Sequence, residues 1–273
     1  MVALDAILNR LRENDQTLTT LNLELNALVD VGGAAVARAL ETNTTLTHLD
    51  LGANGLGEVS GEALANALET NTTITALNLR GNRIGMSVVN LLERNTTLMT
   101  LNVGGNRLGT DVSGVAVANA LEKNTTLTTL NLGVNQLGEV RGAAVARVLE
   151  RNTTLTALDL QSNQLGDVGG VAVASALETN TTLTTLDLGY NFLGDVSGVA
   201  LASALEKNTT LTALKLGGTN YLNPIGDEIL ERIKRLLDGR EAPEVGPRVK
   251  AAVVPPLRGV KRPFSGSLHL ILL

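Results

Sequence analysis

One phrase, close to N-T-T-L-T-x-L-x-L-x-x-N-x-L-G, recurs seven times along this chain and constrains its fold more than any other feature. The copies begin at Asn43, Asn71, Asn95, Asn124, Asn152, Asn180 and Asn208, and a degenerate eighth copy begins at Asn14. Successive starts are 28, 24, 29, 28, 28 and 28 residues apart. A fixed period in this range is typical of stacked supersecondary units, none of which buries its apolar face alone. The repeat therefore predicts a solenoid.

The unit that begins at Asn124 shows the structure that we predict for each repeat. Residues 127–132 end in an apolar/polar alternation of period two, which predicts a short strand with Leu130 and Leu132 buried. A turn and an alanine-rich helix over residues 143–150 follow. The asparagine that opens the next copy is expected to end this helix in the left-handed conformation. Each repeat is thus strand, turn, helix and turn.

The pattern L-x-x-L-x-L-x-x-N-x-L with a helical return resembles the leucine-rich repeat family, over about residues 18–216. The unit length near 28 and the A-L-E-x-N-T-T-L-T junction are similar to the ribonuclease-inhibitor-like subfamily and to the repeats of NOD-like receptors. The resemblance implies an α/β fold, a right-handed horseshoe of about eight repeats with a parallel β-sheet on the concave face and α-helices on the convex face. The spacing of the elements predicts the same curvature. Adjacent strands lie ~4.8 Å apart, whereas packed helices need roughly 8–10 Å, so a stack with one strand and one helix per repeat bends toward the strands.

The two ends of the chain depart from the repeat. Four segments are expected: an N-terminal capping helix (1–13), the leucine-rich repeats (14–223), a C-terminal capping helix (224–240) and a flexible, basic, Pro-containing tail (241–273). In the last repeat Thr219 stands where asparagine is expected, and Asn220 comes one residue late. The end layers of the stack are thus predicted to be capped, which favours a monomer.

Composition and charge limit the classes of function. The chain has no cysteine, which excludes disulfides and cysteine-ligated metals, and no cofactor is predicted. No secretory signal and no membrane-spanning stretch are seen, so we expect a cytoplasmic location. Residues 240–273 carry a net charge of +4 and residues 1–239 a net charge of −9. An acidic body argues against nucleic acid and favours a basic protein partner.

Two sets of asparagines are assigned to the scaffold. The internal set forms a ladder that satisfies buried backbone, and its members are Asn26, Asn54, Asn82, Asn106, Asn135, Asn163 and Asn191. The seven N-T-T triplets fit the N-glycosylation pattern, but each is a helix-to-strand junction that the repeat requires. If the chain were secreted, these asparagines are the expected attachment points.

Function is expected on the solvent-facing side of the sheet. Aromatic and arginine side chains favour interfaces, and carboxylates suit a basic partner, so the candidate partner-binding residues are Asp50, Arg80, Arg83, Arg107, Asp159, Asp187, Tyr190 and Phe192. Arg80 and Arg83 fall in the 24-residue unit, which has lost about a turn of its outer segment. Two interpretations stay open: an ordinary deletion with solvated arginines, or a break in curvature that frames an anion-seeking patch.

Catalysis has little support in the residues. His48 and His269 are the only histidines, and His48, two residues before Asp50, is a conceivable acid–base partner without a nucleophile. The aspartates are too scattered for a metal cage, so no catalytic or metal residue is predicted. We therefore expect a non-enzymatic protein–protein interaction scaffold that uses its concave face. Two alternatives remain: an activator of a small GTPase, or a consensus-like or designed repeat scaffold without a dedicated ligand.

Overall fold

The structure, a computed structural model, describes residues 2–109, 113–217 and 223–240. Helices and strands alternate along these residues: α1 (Val2–Arg12), β1 (Thr20–Asn22), α2 (Val29–Leu40), β2 (His48–Asp50), α3 (Glu58–Thr70), β3 (Ala76–Asn78), α4 (Ser87–Arg94), β4 (Thr100–Asn102), α5 (Ser113–Lys123), β5 (Thr129–Asn131), α6 (Gly138–Val148), β6 (Ala157–Asp159), α7 (Gly166–Leu177), β7 (Thr185–Asp187), α8 (Asp195–Lys207), β8 (Ala213–Lys215) and α9 (Asp227–Leu237). The predicted tail, residues 241–273, lies outside the described residues.

The eight strands form one parallel sheet in the order β1 to β8, so each strand pairs only with its neighbours in sequence. The register is residue to residue, since Leu21 lies beside Leu49 and Leu49 beside Leu77. The helices pack against one another in the same sequential order. This is the predicted leucine-rich repeat solenoid, with the sheet on the concave side and the helices on the convex side.

An aliphatic core fills the space between the sheet and the helices. Leu130 and Leu132 are buried, as the alternation predicts, and so are their counterparts in the other repeats except Leu214 of the last strand, which is half-buried. Small residues let neighbouring helices approach closely: a Cβ added to Gly170 of α7 would lie 2.6 Å from the Cβ of Ser197 on α8. Thin layers of leucine, valine and alanine therefore stack without aromatic residues in the described core.

The internal asparagines form the predicted ladder. Asn54 donates its Nδ2 hydrogen to the Leu23 carbonyl of the preceding repeat at 2.9 Å, and its Oδ1 accepts the N–H of Asn26 at 2.9 Å. Equivalent bonds link the repeats farther along the stack. Each amide side chain thus satisfies backbone groups in two layers, which is the scaffold role expected of it.

The last rung of the ladder comes from a later residue than the repeat indicates, and the irregular Thr219 and Asn220 lie outside the described residues. Asn223 supplies the missing amide, because its Oδ1 accepts the N–H of Asn191 at 2.8 Å and its Nδ2 donates to the carbonyl of Leu216 at 2.6 Å. In the preceding repeat the amide comes three residues after Leu188, whereas here it comes seven residues after the equivalent leucine. The buried N–H of Asn191 needs an acceptor, and the chain makes a longer excursion to provide one.

The asparagines that open the seven clear copies of the phrase are not left-handed, contrary to the expectation, whereas Asn14 of the degenerate copy is, with φ +53°. Asn71 has φ −75° and ψ 116°. Its Nδ2 donates to the Leu40 carbonyl at 2.9 Å, and its Oδ1 accepts the N–H of Ile74 at 3.0 Å, so the side chain links the end of one helix to the next strand. All seven members of this set are buried. The folded protein therefore does not offer them for glycan attachment, contrary to the expectation for a secreted chain.

The shortened unit changes the helical layer alone. Helix α4 has 8 residues, whereas the other described helices have 11 to 13. Residue-to-residue pairing nevertheless continues from β3 to β4, where Leu77 lies beside Leu101. The predicted loss of about one helical turn is therefore absorbed on the convex side, and the rows of side chains on the sheet continue without a break.

Helices α1 and α9 lie at the two ends of the stack. Leu8 and Leu11 of α1 are buried, and the Leu11 carbonyl accepts the Nδ2 hydrogen of Asn43 at 2.8 Å. Ile233 of α9 is buried, and α9 packs against α8. Among the described helices, none is long and apolar enough to cross a membrane.

Candidate protein-binding face

Side chains on the open side of the sheet form rows, because neighbouring strands pair residue to residue. The central row takes one residue from each strand: Asn22, Asp50, Asn78, Asn102, Asn131, Asp159, Asp187 and Lys215. From Asn22 to Asp187, each side-chain Oδ1 accepts the backbone N–H two residues later, as Gly52 donates to Asp50 at 2.8 Å. Only a short side chain with an acceptor makes this turn. The three aspartates of the row thus hold a turn with one oxygen, which leaves the other oxygen for a second contact.

Two carboxylates lie side by side in this row. Asp159 and Asp187 are register partners on β6 and β7. The Oδ2 atom of Asp159 accepts the Nδ2 hydrogen of Asn131 at 2.7 Å. Burial raises the pKa of Asp159, and the Asp187 carboxylate adds to the increase, although the N–H of Gln161 opposes it. The Lys215 Nζ lies 3.6 Å from Asp187 Oδ2, so the described residues supply an ion pair to Asp187 and none to Asp159.

The opposite half of the face contains a shallow hollow of about 280 Å³ over β1 to β4. Ala76 lines it between the larger His48 and Thr100, which lie in the same row. The Nδ1 atom of His48 lies 2.8 Å from the Oγ1 atom of Thr47, and Asp50 binds Gly52. The conceivable acid–base pair of His48 and Asp50 is therefore not formed by a hydrogen bond between them.

The candidate arginines are exposed, but they occupy two kinds of position. Arg80 lies on the face, two residues after Asn78, whose Oδ1 accepts the Arg80 backbone N–H at 3.0 Å. Arg83 and Arg107 each follow a ladder asparagine in the loop beyond the strand, and Arg107 has φ +61°. The set thus consists of one arginine on the face and two on its rim.

Tyr190 and Phe192 also lie on this rim, where they flank the ladder residue Asn191. They are 37% and 50% exposed. Both have left-handed backbones, with φ +58° and +60°, which is an unfavourable conformation for an aromatic residue. Asn191 between them is anchored by its bonds to the Leu160 and Leu188 carbonyls at 2.9 and 3.0 Å. The buried ladder therefore fixes the backbone from which the two rings project.

Sequence reasoning missed a second use of acidic residues, at the starts of the helices. Asp167 of α7 accepts the N–H groups of Gly194 and Ser197 at 2.9 and 3.0 Å, and also the Ser197 hydroxyl, so it caps helix α8 of the next repeat. This hydroxyl is the main reason why the pKa of Asp167 is below its usual value. Asp30 and Ser60 form the same pair. The signal in the sequence is an aspartate followed 30 residues later by a serine.

Metal ligation finds no support in this part of the molecule. Within residues 2–109, 113–217 and 223–240, no group of three or more His, Cys, Asp or Glu side chains is placed to hold a metal ion. His269 and the tail lie outside these ranges. What the face offers is a row of amides and carboxylates, one exposed arginine and a rim with two aromatic rings.

The sequence pattern of the leucine-rich repeat family matches this chain in seven stretches, residues 14–37, 42–65, 70–86, 94–111, 123–140, 151–174 and 179–202, which together make up just over half of it. No curated protein matches the chain in sequence. These seven matches cover the degenerate copy at Asn14 and the copies that begin at Asn43 to Asn180, and they end before the copy at Asn208.

Several solved structures are similar to this one. The leucine-rich repeat-containing protein LegL7 from Legionella pneumophila is 23% identical, with 87% of this chain and 78% of that chain covered and a TM-score of 0.58. The structure titled Leiomodin-1 actin-binding site 2 is 27% identical over 50% of this chain and 78% of its own, with a TM-score of 0.43. The tropomodulin C-terminal domain of Caenorhabditis elegans is 19% identical over 55% and 92%, with a TM-score of 0.47. The likeness to LegL7 concerns the fold, and the lower scores of the other two support no argument about a partner.

Proposed function

This chain belongs to the leucine-rich repeat family, and we propose that it is a non-enzymatic scaffold that binds a protein partner on the concave face of its sheet. A solenoid exposes a large surface relative to its core, which suits it to contact another macromolecule. The fold does not by itself name a ligand, so the argument depends on the chemistry of the face. The single observation that carries it is the pair of carboxylates on β6 and β7.

The two carboxylates favour a partner that brings a cation. Asp159 and Asp187 repel each other across neighbouring strands, and Lys215 pairs with Asp187 from the β8 side. A lysine or arginine of a partner placed about 4 Å from Asp159 gains roughly 1 to 4 kcal/mol, depending on how far water is excluded. Binding would remove the repulsion and neutralise a carboxylate that is partly desolvated already. The proposed partner is therefore a protein with a basic surface.

The aromatic rim supplies a second contact next to the carboxylates. Tyr190 and Phe192 come three and five residues after Asp187, and their exposed rings can bury apolar area against a partner. Interfaces concentrate their binding energy in such aromatic anchors. We place the main contact on the sixth to eighth repeats for this reason. Asp50, Arg80, Arg83 and Arg107 would form a secondary contact toward the other end of the face.

The test uses a charge change that the chain itself shows to be compatible with the fold. Asn102 and Asn131 occupy the same row and make the same turn as Asp159 and Asp187, so D159N/D187N keeps the turn acceptors and removes two charges. Native chain, D159N/D187N and the convex control Glu150→Gln are each used to capture proteins from cell extract at low and high salt. We expect at least one partner that the native chain and the control retain at low salt, and that the double variant loses.

Two further variants sharpen this test. N102D/N131D adds carboxylates to the same row and should strengthen capture of that partner. Tyr190→Ala and Phe192→Ala should weaken it, and they are compatible with the fold because Ala53 and Ala27 occupy the equivalent left-handed positions in earlier repeats. If D159N/D187N and Glu150→Gln capture the same proteins in the same amounts at both salt concentrations, the electrostatic face is refuted.

Several attributes remain part of the proposal. The absence of catalysis, a monomeric state and a cytoplasmic location are expected from the sequence and from what this family generally does. Membership of the ribonuclease-inhibitor-like subfamily is proposed on the unit length near 28 and on the A-L-E junction. Analytical ultracentrifugation of the purified chain tests the monomeric state directly, since a mass that grows with concentration would contradict it.

A further inference from the structure

The convex faces of the helices differ, although the repeats are nearly identical inside. The outer surface of α3 and α4 carries polar cross-links beside the exposed Val59: Arg94 donates to Asn66 Oδ1 at 2.7 Å, and Asn90 donates to Glu62 Oε2 at 2.6 Å. The first two turns of α7 and α8 instead expose two valines each. These four side chains, here named the valine face, are Val168, Val171, Val196 and Val199, which are 54%, 39%, 62% and 48% exposed.

The valine face has acidic residues at its N-terminal border. Asp167 and Asp195 lie at the starts of the two helices, beside the valines. Helix α7 carries no charged residue between Asp167 and Glu178. A groove of about 240 Å³ lies between α6 and α7, and its lining joins Val168 and Val171 to the charged Arg147 and Glu150 of the preceding repeat. An exposed apolar patch of this kind is typical of a binding site, and no part of the described chain covers it.

The last described residue, Arg240, is held on the helix that carries half of the valine face. The guanidinium of Arg240 donates to the carbonyl of Leu205 at 2.9 Å and to that of Leu211 at 2.8 Å. Leu205 lies in the last turn of α8, whereas Val196 and Val199 lie near its start. Arg240 is therefore fixed at the C-terminal end of α8.

The sequence of residues 241–273 complements the valine face in charge and polarity. Residues 251–257 read A-A-V-V-P-P-L, an aliphatic run that Lys250 and Arg258 flank. After Glu244 the segment has five basic residues and no acidic one. An aliphatic run flanked by cations matches an aliphatic surface with carboxylates at its border.

We propose that residues 241–273 bind the valine face of the same chain, with the aliphatic run against the four valines and the flanking cations near Asp167 and Asp195. The distances allow it. The face begins within about 15 Å of Leu205 along α8, at 1.5 Å per residue, and α7 lies about 10 Å further across. The residues between Arg240 and the aliphatic run span up to about 33 Å when extended.

Tethering makes even a weak contact effective. A short linker gives the attached segment an effective concentration of about 1 mM, so an intrinsic dissociation constant of about 0.1 mM keeps it bound roughly nine-tenths of the time. The contact covers an apolar surface that would otherwise promote association between molecules. It lies on the convex side, so it leaves the concave face free and does not depend on the function proposed above.

The test uses the full chain, which contains no tryptophan. Val254→Trp places a single indole in the aliphatic run, and its emission and its quenching by acrylamide report whether the run is covered. We expect a blue-shifted emission and a quenching constant several-fold lower than that of free indole. V171K/V199K, which places cations on the face, should return both values to those of free indole, whereas the control Val59→Lys on α3, at a more exposed valine, should not.

The outcomes decide between occupants. Free-indole behaviour in the chain with Val254→Trp alone would overturn the proposal, as would equal effects of V171K/V199K and Val59→Lys. Protection that disappears on dilution would assign the face to a second copy of the chain instead. A second measurement avoids lysines on the face: the chain lacks cysteine, so Val199→Cys with Ala252→Cys should form an intramolecular disulfide, and Val59→Cys with Ala252→Cys should not.

Discussion

The cap that Asp167 provides for the next repeat gives the sharpest prediction about stability. Asp167→Ala removes the acceptor of two backbone N–H groups and of the Ser197 hydroxyl. Ser197 is fully buried, and its hydroxyl makes no other hydrogen bond with the described residues. Loss of a helix cap costs up to about 2 kcal/mol, and a buried hydroxyl without a partner adds to this. We therefore expect the free energy of unfolding to fall by about 2–3 kcal/mol.

Two related caps serve as internal controls for this prediction. Asp30→Ala breaks the equivalent bonds to Gly57 and Ser60, but the Ser60 hydroxyl also lies 3.2 Å from the Gly57 carbonyl and keeps that acceptor. Asp195 accepts a single N–H, from Gly226 at 2.7 Å. The expected order of destabilisation is therefore Asp167→Ala, then Asp30→Ala, then Asp195→Ala at about 1 kcal/mol.

Urea unfolding followed by circular dichroism measures these differences. Hydrogen exchange should place the change from Asp167→Ala in α8 and α9, because a solenoid transmits stability through neighbouring repeats. Ser197→Ala in the Asp167→Ala background should restore part of the lost stability, since it removes the buried hydroxyl that Asp167→Ala leaves without a partner. If Asp167→Ala lowers stability by less than about 0.5 kcal/mol, or no more than Asp195→Ala does, then the cap does not hold α8 as argued.

The pH dependence of the same cap has a definite sign. The folded pKa of Asp167 is lowered, chiefly by the Ser197 hydroxyl. Its contribution is thus fully present above the unfolded value near 3.9 and is lost as the pH falls through the lower folded value. The difference in stability between the native chain and Asp167→Ala should be constant from about pH 7 to 5 and shrink below about pH 4.

Three further predictions test the packing, the end of the ladder and the concave face. Gly170→Ala should lower stability by about 1–3 kcal/mol in thermal unfolding, because the new Cβ would lie 2.3 Å from Ser197 Oγ; native stability would contradict this close approach. Asn223→Ala should speed hydrogen exchange at the amides of Asn191 and Leu193, whereas Asn220→Ala should not, and the reverse result would restore the position expected from the repeat. Titration of the Asp159 carboxyl by NMR should give a pKa above its usual range, which falls in Asp187→Asn because a like charge is removed; an unchanged value would mean that burial acts alone.

The repeat predicts the fold because strand and helix patterns are local and the period is explicit. Leu130 and Leu132 alternate within one strand, so their burial follows from three adjacent positions. The groups that satisfy buried backbone are not local. Asn223 replaces an amide expected four residues earlier, because the Asn191 N–H can donate to any acceptor that reaches it in space. Asp167 and Ser197 are 30 residues apart and meet only through the stacking of α7 on α8.

The candidate site is harder to predict from the sequence, because the same residue types serve the scaffold. The pattern predicts a solvent-facing carboxylate at Asp50, yet its Oδ1 closes a turn that Asn22 and Asn78 close equally well. The requirement for a short acceptor therefore explains why the row contains asparagine or aspartate, but not why a given strand carries a charge. Aspartate and asparagine differ only in the group that does not close the turn, so a reason for aspartate at a given strand must come from a contact of its second oxygen.

The difference between aspartate and asparagine matters most for stability at Asp159. Asparagine would close its turn, as Asn131 does on the adjacent strand, without placing a partly buried charge beside Asp187. Burial and Asp187 raise the pKa of Asp159, so the ionised carboxylate makes the fold less stable than its protonated form does. Native stability should accordingly fall relative to Asp159→Asn as the pH rises through about 4 to neutrality. A carboxylate whose ionisation destabilises the fold is well suited to bind a cation, because the cation of a partner offsets the free energy that ionisation costs. If Asp159→Asn gave the same pH profile as the native chain, this reason for placing the contact on the sixth and seventh repeats would be lost.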